Sequence, residues 1–173
     1  IGRLPMLVPG IPQVGATDAD QMRFYELWTG PGHDTITITV APRFGNPDIY
    51  VTSTYDRYLP SKNFHRWTSV TEGSESLTID SRTDPNACSS CIYYVGVLGG
   101  TDSTGGAAST SYTIMATLQE SMVTVQSNVP IVSQEVQVEE YRYYRFFVDR
   151  PGQGLTVSLT LDAGDADLFV SFE

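Results

Sequence analysis

Hydrophobic and polar residues alternate strictly along two stretches of the chain, Asp34-Thr35-Ile36-Thr37-Ile38-Thr39-Val40 and Leu155-Thr156-Val157-Ser158-Leu159-Thr160-Leu161. A period of two turns successive side chains to opposite faces of a strand, so each stretch predicts a half-buried strand with aliphatics inward and hydroxyls outward. The many β-branched residues favour the same reading. Turn residues bracket both: Gly30-Pro31-Gly32 and Gly45-Asn46-Pro47 around the first, Pro151-Gly152-Gln153-Gly154 and Gly164-Asp165-Ala166 around the second. Further strands are predicted at Ser76–Ile79, Ile92–Leu98 and Ser111–Leu118, and no window carries a helical stripe. Short strands joined by Gly- and Pro-rich turns predict an all-β sandwich rather than a barrel. The expected core of the first sandwich is Ile36, Ile38, Val40, Ile49, Val51, Tyr94 and Val97.

The two alternating stretches belong to a longer internal match. Residues 21–51 align without a gap on residues 140–170, every pair 119 positions apart: Arg23 with Arg142, Tyr25 with Tyr144, Thr37 with Thr156, Gly45 with Gly164, Asp48 with Asp167, Val51 with Val170. The alternation keeps its phase across the match, which identities arising by chance would not ensure. Upstream, Val8-Pro9 and Val129-Pro130 mark proline-bearing entries two residues out of this register. The expected organisation is a Pro-rich linker or donor segment at 1–13, a complete sandwich at 14–120, a linker at 121–134, and the first half of a second sandwich at 135–173.

An aromatic strand (Tyr143-Tyr144-Arg145-Phe146-Phe147-Val148), a Pro-Gly turn, the alternating strand and then Gly164-Asp165-Ala166-Asp167-Leu168-Phe169-Val170 follow in succession. This succession resembles the bacterial pre-peptidase C-terminal (PPC) domain, an Ig-like β-sandwich. The first copy is similar but more divergent: Asp48-Ile49-Tyr50-Val51 stands where the Asp-Leu-Phe-Val motif falls, and Cys91-Ile92-Tyr93-Tyr94-Val95-Gly96-Val97 resembles the closing Tyr-Tyr-x-x-Val strand. The resemblance covers Val8 to Leu118 and Val129 onward. It implies the fold. It bears weakly on function, because such modules serve as appendages of secreted proteases, as carbohydrate or collagen binders and as surface-protein repeats.

Composition narrows the partners. Acidic residues outnumber basic ones 20 to 10, the formal charge is -10, and Lys62 is the single lysine. A chain of this balance has no means of neutralising a row of phosphates, and it opposes adsorption to anionic membranes. No apolar run reaches the length of a membrane span. Ile1 follows no initiator Met and no signal-like leader, so a signal peptide is either removed or never belonged to this segment; the abundance of Ser, Thr and Tyr and the spacing Cys88-Ser89-Ser90-Cys91 lean towards an extracellular or cell-surface location.

Candidate chemistry is sparse. The two histidines, His33 and His65, stand outside any metal-binding spacing, and no Gly-x-Ser-x-Gly elbow presents a nucleophile, so no enzyme is expected. Cys88 follows Asp84-Pro85-Asn86-Ala87 and Cys91 leads into a predicted strand, a setting that favours a short structural disulfide over a redox pair at a helix start. Free thiols and redox or metal work stay open as alternatives. Asp162, Asp165 and Asp167 bracket Gly164 with hard oxygen ligands that suit calcium, whereas the first copy has Arg43, Asn46 and Asp48 there. The bland alternative is that Asp48 and Asp167 fix a turn through backbone amides. Otherwise no cofactor is expected.

Two outward rows, Thr35, Thr37, Thr39 and Thr156, Ser158, Thr160, are candidates for a ligand or glycan-bearing surface, or for the plain wet side of a strand. Trp28, Trp67, Tyr55 and Tyr58 offer stacking platforms if they are exposed. The Ser/Thr-rich loop Thr101–Ser111 and the turn Thr52-Ser53-Thr54 are candidate sites for O-linked sugar. The leading functional expectation is a non-catalytic structural repeat that assembles into a filament, appendage or surface layer, its partners being copies of itself head-to-tail or adjacent modules of a longer chain. The alternative is a carbohydrate- or matrix-binding accessory module of a secreted hydrolase.

Overall fold

The alternating stretches form strands wherever they find neighbours. The computed structural model describes residues 3–56, 58–100, 109–118, 122–132, 134, 136, 141–148, 152 and 154–171. Eight strands build the main body: β1 (Gln13–Thr17), β2 (Met22–Trp28), β3 (Thr35–Phe44), β4 (Pro47–Ser53), β5 (Trp67–Ser69), β6 (Glu75–Asp80), β7 (Ile92–Gly99) and β8 (Thr110–Leu118). They make two four-stranded antiparallel sheets, ordered β1-β8-β3-β6 and β2-β7-β4-β5. This is the β-sandwich that the alternation predicts.

The inner faces meet in one core. β3 contributes Ile36, Ile38 and Val40, β8 Tyr112, Ile114, Ala116 and Leu118, β4 Ile49 and Val51, β7 Tyr93, Val95 and Val97, and β2 Tyr25 and Leu27. Each buried aliphatic contributes about 1.5–3 kcal/mol relative to an exposed one. Of the seven residues expected inside, Tyr94 is the exception. It stands an odd number of residues from Val97, so the pleat that buries Val97 turns Tyr94 outward and places Tyr93 in the core instead.

Polar contacts are admitted to this core in pairs. The hydroxyls of Tyr25 and Tyr112 lie 3.0 Å apart, each satisfying the other. Burial, followed by the bond to Tyr25, holds the Tyr112 phenol well above its ordinary pKa. Gly15 on β1 makes room for the pair, since a Cβ there would overlap both rings' oxygen-bearing ends.

The segment ahead of β1 also takes part. Pro5 accepts a bond from Glu26 N–H at 2.9 Å, Leu7 N–H donates to Glu26 at 2.7 Å, and Met6 forms a parallel bridge with Glu26. Leu7, 1% exposed, belongs to the core. A turn closed by Ile11 N–H to Val8 O follows, with Gly10 left-handed at φ 74°.

After β8 come two short strands, β9 (Val123–Thr124) and β10 (Tyr144–Arg145), paired in parallel. Val123 N–H donates to Tyr143 and Val125 N–H to Arg145, and a turn closed by Val129 N–H to Gln126 O places Asn128 at φ 60°. The aromatic strand expected over 143–148 is regular only at β10. Leu155–Leu161, expected as a strand, has no ladder partner among the described residues, and both its apolar and its hydroxyl side chains are exposed. The expected half-burial requires an opposing sheet, and the two sheets of the sandwich already cover each other's inner faces.

Candidate functional site

The cysteines form the expected bridge. Cys88 and Cys91 are disulfide-bonded across the turn leading into β7. Ser90 takes a left-handed φ of 57° and donates its N–H to Gly30 O, while Thr29 and Cys91 exchange bonds through the Thr29 hydroxyl. The Tyr93 hydroxyl donates to Cys88 O at 2.9 Å and accepts from Cys88 N–H at 2.8 Å. Burial raises the Tyr93 pKa, so the phenol keeps the proton that it donates. The bridge braces the turn against the end of β2, a structural role.

The hydroxyl rows divide. Thr37 bonds across the strands to Thr78 at 3.0 Å, and Thr35 accepts from Arg82 at 3.3 Å. Thr39, expected on the wet face, is only 4% exposed. It and Met115 line one small cavity with Pro130, Ile131 and Val132, so the chain beyond β9 lies over that part of the sheet. Period two assigns a face but does not reveal what later crosses it. Thr156, Ser158 and Thr160 are exposed. The candidate glycan loop Thr101–Ser111 lies mostly outside the described residues; Thr52 and Ser53 are buried, which leaves Thr54 as the exposed hydroxyl of that turn.

The aromatic candidates divide as well. Trp67 packs against the core residue Tyr93 with ring centroids 5.5 Å apart, and its indole N–H donates to Asp84 at 2.6 Å. That bond, with those from Asn86, holds the Asp84 carboxyl below its usual range. Trp67 is therefore a packing residue and offers no free platform. Trp28, 55% exposed at the end of β2, and Tyr55, 74% exposed, do present open faces. Tyr58 and Phe64 make an exposed edge-to-face pair at 5.7 Å.

Among the acids, Asp162, Asp165 and Asp167 are all exposed, and no group of three or more His, Cys, Asp or Glu among the described residues is placed to hold a metal. The carboxylate that pattern reading missed is Glu75. It is buried at an inward position of β6, opposite Val40, where it accepts from the hydroxyls of Ser69 and Thr71 and from Thr71 N–H at 2.8 Å. The available signal was Ser69-x-Thr71-x-x-x-Glu75, in which local hydroxyls satisfy an in-facing acid. Asp48 lies nearby. Burial first, then the charge of Glu75, raises its pKa against the pull of Lys62.

Backbone polar groups also converge beside the C-terminal half of β8. Thr124 N–H donates to Gly10 O at 2.7 Å, Gly10 N–H donates to Ala116 O at 2.8 Å, and Arg145 Nε donates to the Thr124 hydroxyl at 3.0 Å. Val123 is 3% exposed. A Cβ on Gly10 would overlap the Met122 carbonyl, so the approach is possible only for glycine. This junction holds neighbouring backbone in register and contains no nucleophile paired with a base.

No family model matches the chain, and no curated protein does. Solved structures similar to it include the following two. The pre-peptidase C-terminal domain of collagenase from Bacillus anthracis has 10% identity and a TM-score of 0.43, covering 67% of this chain and 98% of that one. PliG of Aeromonas hydrophila, a periplasmic inhibitor of g-type lysozyme, has 12% identity and a TM-score of 0.43, covering 68% and 98%. The assignment of the chain to the all-β sandwiches rests on its own two antiparallel sheets and their strand order.

Proposed function

We propose that the chain is a non-catalytic structural repeat of an extracellular or cell-surface array, in which residues from Met122 onward open a second module of the same kind as the first. The observation that carries this reading is a repetition of backbone conformation. The bridge of Met6 to Glu26 and the bond from Leu7 N–H recur as Thr124 with Arg145 and the bond from Val125 N–H. The left-handed residues recur too: Gly10 at φ 74° and Asn128 at 60°, Gly32 at 83° and Gly152 at 85°, Gly45 at 80° and Gly164 at 79°. These pairs are 118, 120 and 119 positions apart. The third pair keeps the 119 spacing of the side-chain match and the other two lie within one residue of it.

In this reading Leu155, Val157, Leu159, Leu168 and Val170 are exposed because their covering strands come from an adjacent module of a longer chain or from another copy, head-to-tail. The disulfide supports an oxidising compartment. Light scattering combined with limited proteolysis of residues 1–173 tests the proposal. Concentration-dependent association, or rapid cleavage within 154–171, is expected. A cooperatively folded monomer with 154–171 protected overturns it.

The exposed Trp28, Tyr55 and the Tyr58–Phe64 pair favour a second reading, a carbohydrate- or matrix-binding module. A glycan array probed with wild type and Tyr58→Ala separates the two. Binding lost in the variant supports the second.

A further inference from the structure

The junction has two sides; the entry segment of the first module gives one to β2, and on the other the Met6 carbonyl accepts from Gln13 Nε2 at 2.9 Å. Along β9, Val123 and the following Val125 give their amides to Tyr143 O and Arg145 O, so the amide between them, Thr124 N–H, faces the other way and reaches Gly10 O. In the entry segment the carbonyl of Pro5 and the amide of Leu7 are both spent on Glu26. By the same alternation the amide of Met6 is directed away from β2. Met6 stands 118 positions before Thr124, as Leu7 does before Val125 and Gly10 before Asn128. Each of the two segments runs from a parallel bridge into a turn whose third residue is left-handed.

We infer that the outward edge of the entry segment, centred on Met6, is the docking surface for a preceding module of this same kind. The occupant's residue equivalent to Gly10 presents its carbonyl to Met6 N–H, as Gly10 presents its own to Thr124. The contact is continuous with one the chain already makes, and its chemistry is a backbone amide meeting a glycine carbonyl at close range. The side chains beside it suit a covered position: Met6 is 48% exposed and Val8 45%, both apolar on an otherwise acidic protein. Because the donor side and the acceptor side of each segment differ, the contact is heterologous, one module's donor edge meeting the next module's acceptor. The inference rests on the tandem reading above and adds to it the atoms through which one module seats on the next.

The test transplants the entry segment into the junction. In the full chain, Thr124–Pro130 is replaced by the Met6–Pro12 sequence, and exchange of the amide at position 124 is followed by NMR. If the entry segment is a docking strand of the same type, that amide keeps its slow exchange to within about tenfold of wild type. A loss on the order of a hundredfold, with the first sandwich still folded, overturns the inference. The double variant Val125→Leu/Asn128→Gly makes the same comparison with two changes should the transplant not fold. Fast exchange at Thr124 in the wild type also overturns it, because there is then no seated junction to copy. The tandem reading is judged separately, by association and by protection of 154–171, so either can fail without the other.

Discussion

Replacing Gly10 by alanine perturbs the junction at its tightest point. Alanine at φ 74° pays the left-handed penalty, about 1–2 kcal/mol. Its Cβ also overlaps the Met122 carbonyl, a backbone atom that yields only if the chain leaving β8 moves. Once it moves, the Thr124 N–H to Gly10 O bond goes, worth about 1 kcal/mol net. Val123, now 3% exposed, returns to water at about 1.5–3 kcal/mol. The expected loss is about 3–6 kcal/mol, read as a lower urea midpoint for the full chain, with faster proteolysis between residues 122 and 132. Gly10→Asn isolates the steric part, because asparagine tolerates the left-handed region, as Asn128 does, while carrying the same Cβ. It is expected to lose about 1 kcal/mol less than Gly10→Ala. A loss below about 1 kcal/mol in Gly10→Ala, with cleavage between residues 122 and 132 unchanged, refutes the seating of that segment on the sandwich.

Three further outcomes follow from the core and its acids. Gly15→Ala is expected to force Tyr25 and Tyr112 apart at about 1–3 kcal/mol, and adding Tyr25→Phe to recover part of this by removing one crowded oxygen; thermal melts of the single and double variants check both. Cys88→Ser/Cys91→Ser is expected to cost only about 2 kcal/mol because the bridge closes so short a loop, measured as the difference in urea midpoints. Asp48 has a folded pKa above its unfolded one, so its protonated form favours the fold; that contribution is complete below the unfolded value and lost as pH rises through the raised one. Asp48→Asn is therefore expected to be more stable than wild type at about pH 7 and to show a flatter profile down to about pH 3 in urea melts at each pH.

The parts of the fold legible in the sequence were those set by local alternation. β3, β6, β7 and β8 fall on the predicted stretches because each carries aliphatics at every second position, and the turn at Gly45 is marked by a residue that accepts φ 80°. Reading failed where one residue decides a face, as with Tyr93 and Tyr94, or where distant chain supplies the environment. Nothing local to Thr39 announces that Ile131 and Val132 will lie near it. Glu75 reads as a strand-end acid, and its burial depends on Ser69 and Thr71 turning back to it. Ile11-Pro12 and Val129-Pro130 each follow a left-handed residue, Gly10 and Asn128, a likeness of turns that side-chain alignment on Val8-Pro9 did not bring out. Of the candidate sites, the disulfide was legible because two cysteines three residues apart beside a turn meet within side-chain reach. The junction was not, since backbone donors and acceptors leave no signature in side-chain identity.

The parallel run of Pro5–Leu7 beside β2 sets how the sandwich bears a pull. Bonds between neighbouring strands lie across the strand direction. Tension drawn along the entry segment therefore strains both bonds to Glu26 at once, in shear, instead of opening them one after another like a zip. Leu7 would have to leave the core in the same step. A module loaded this way yields at a rate set by its unfolding barrier, so its service life under load depends on that rate more than on its equilibrium stability.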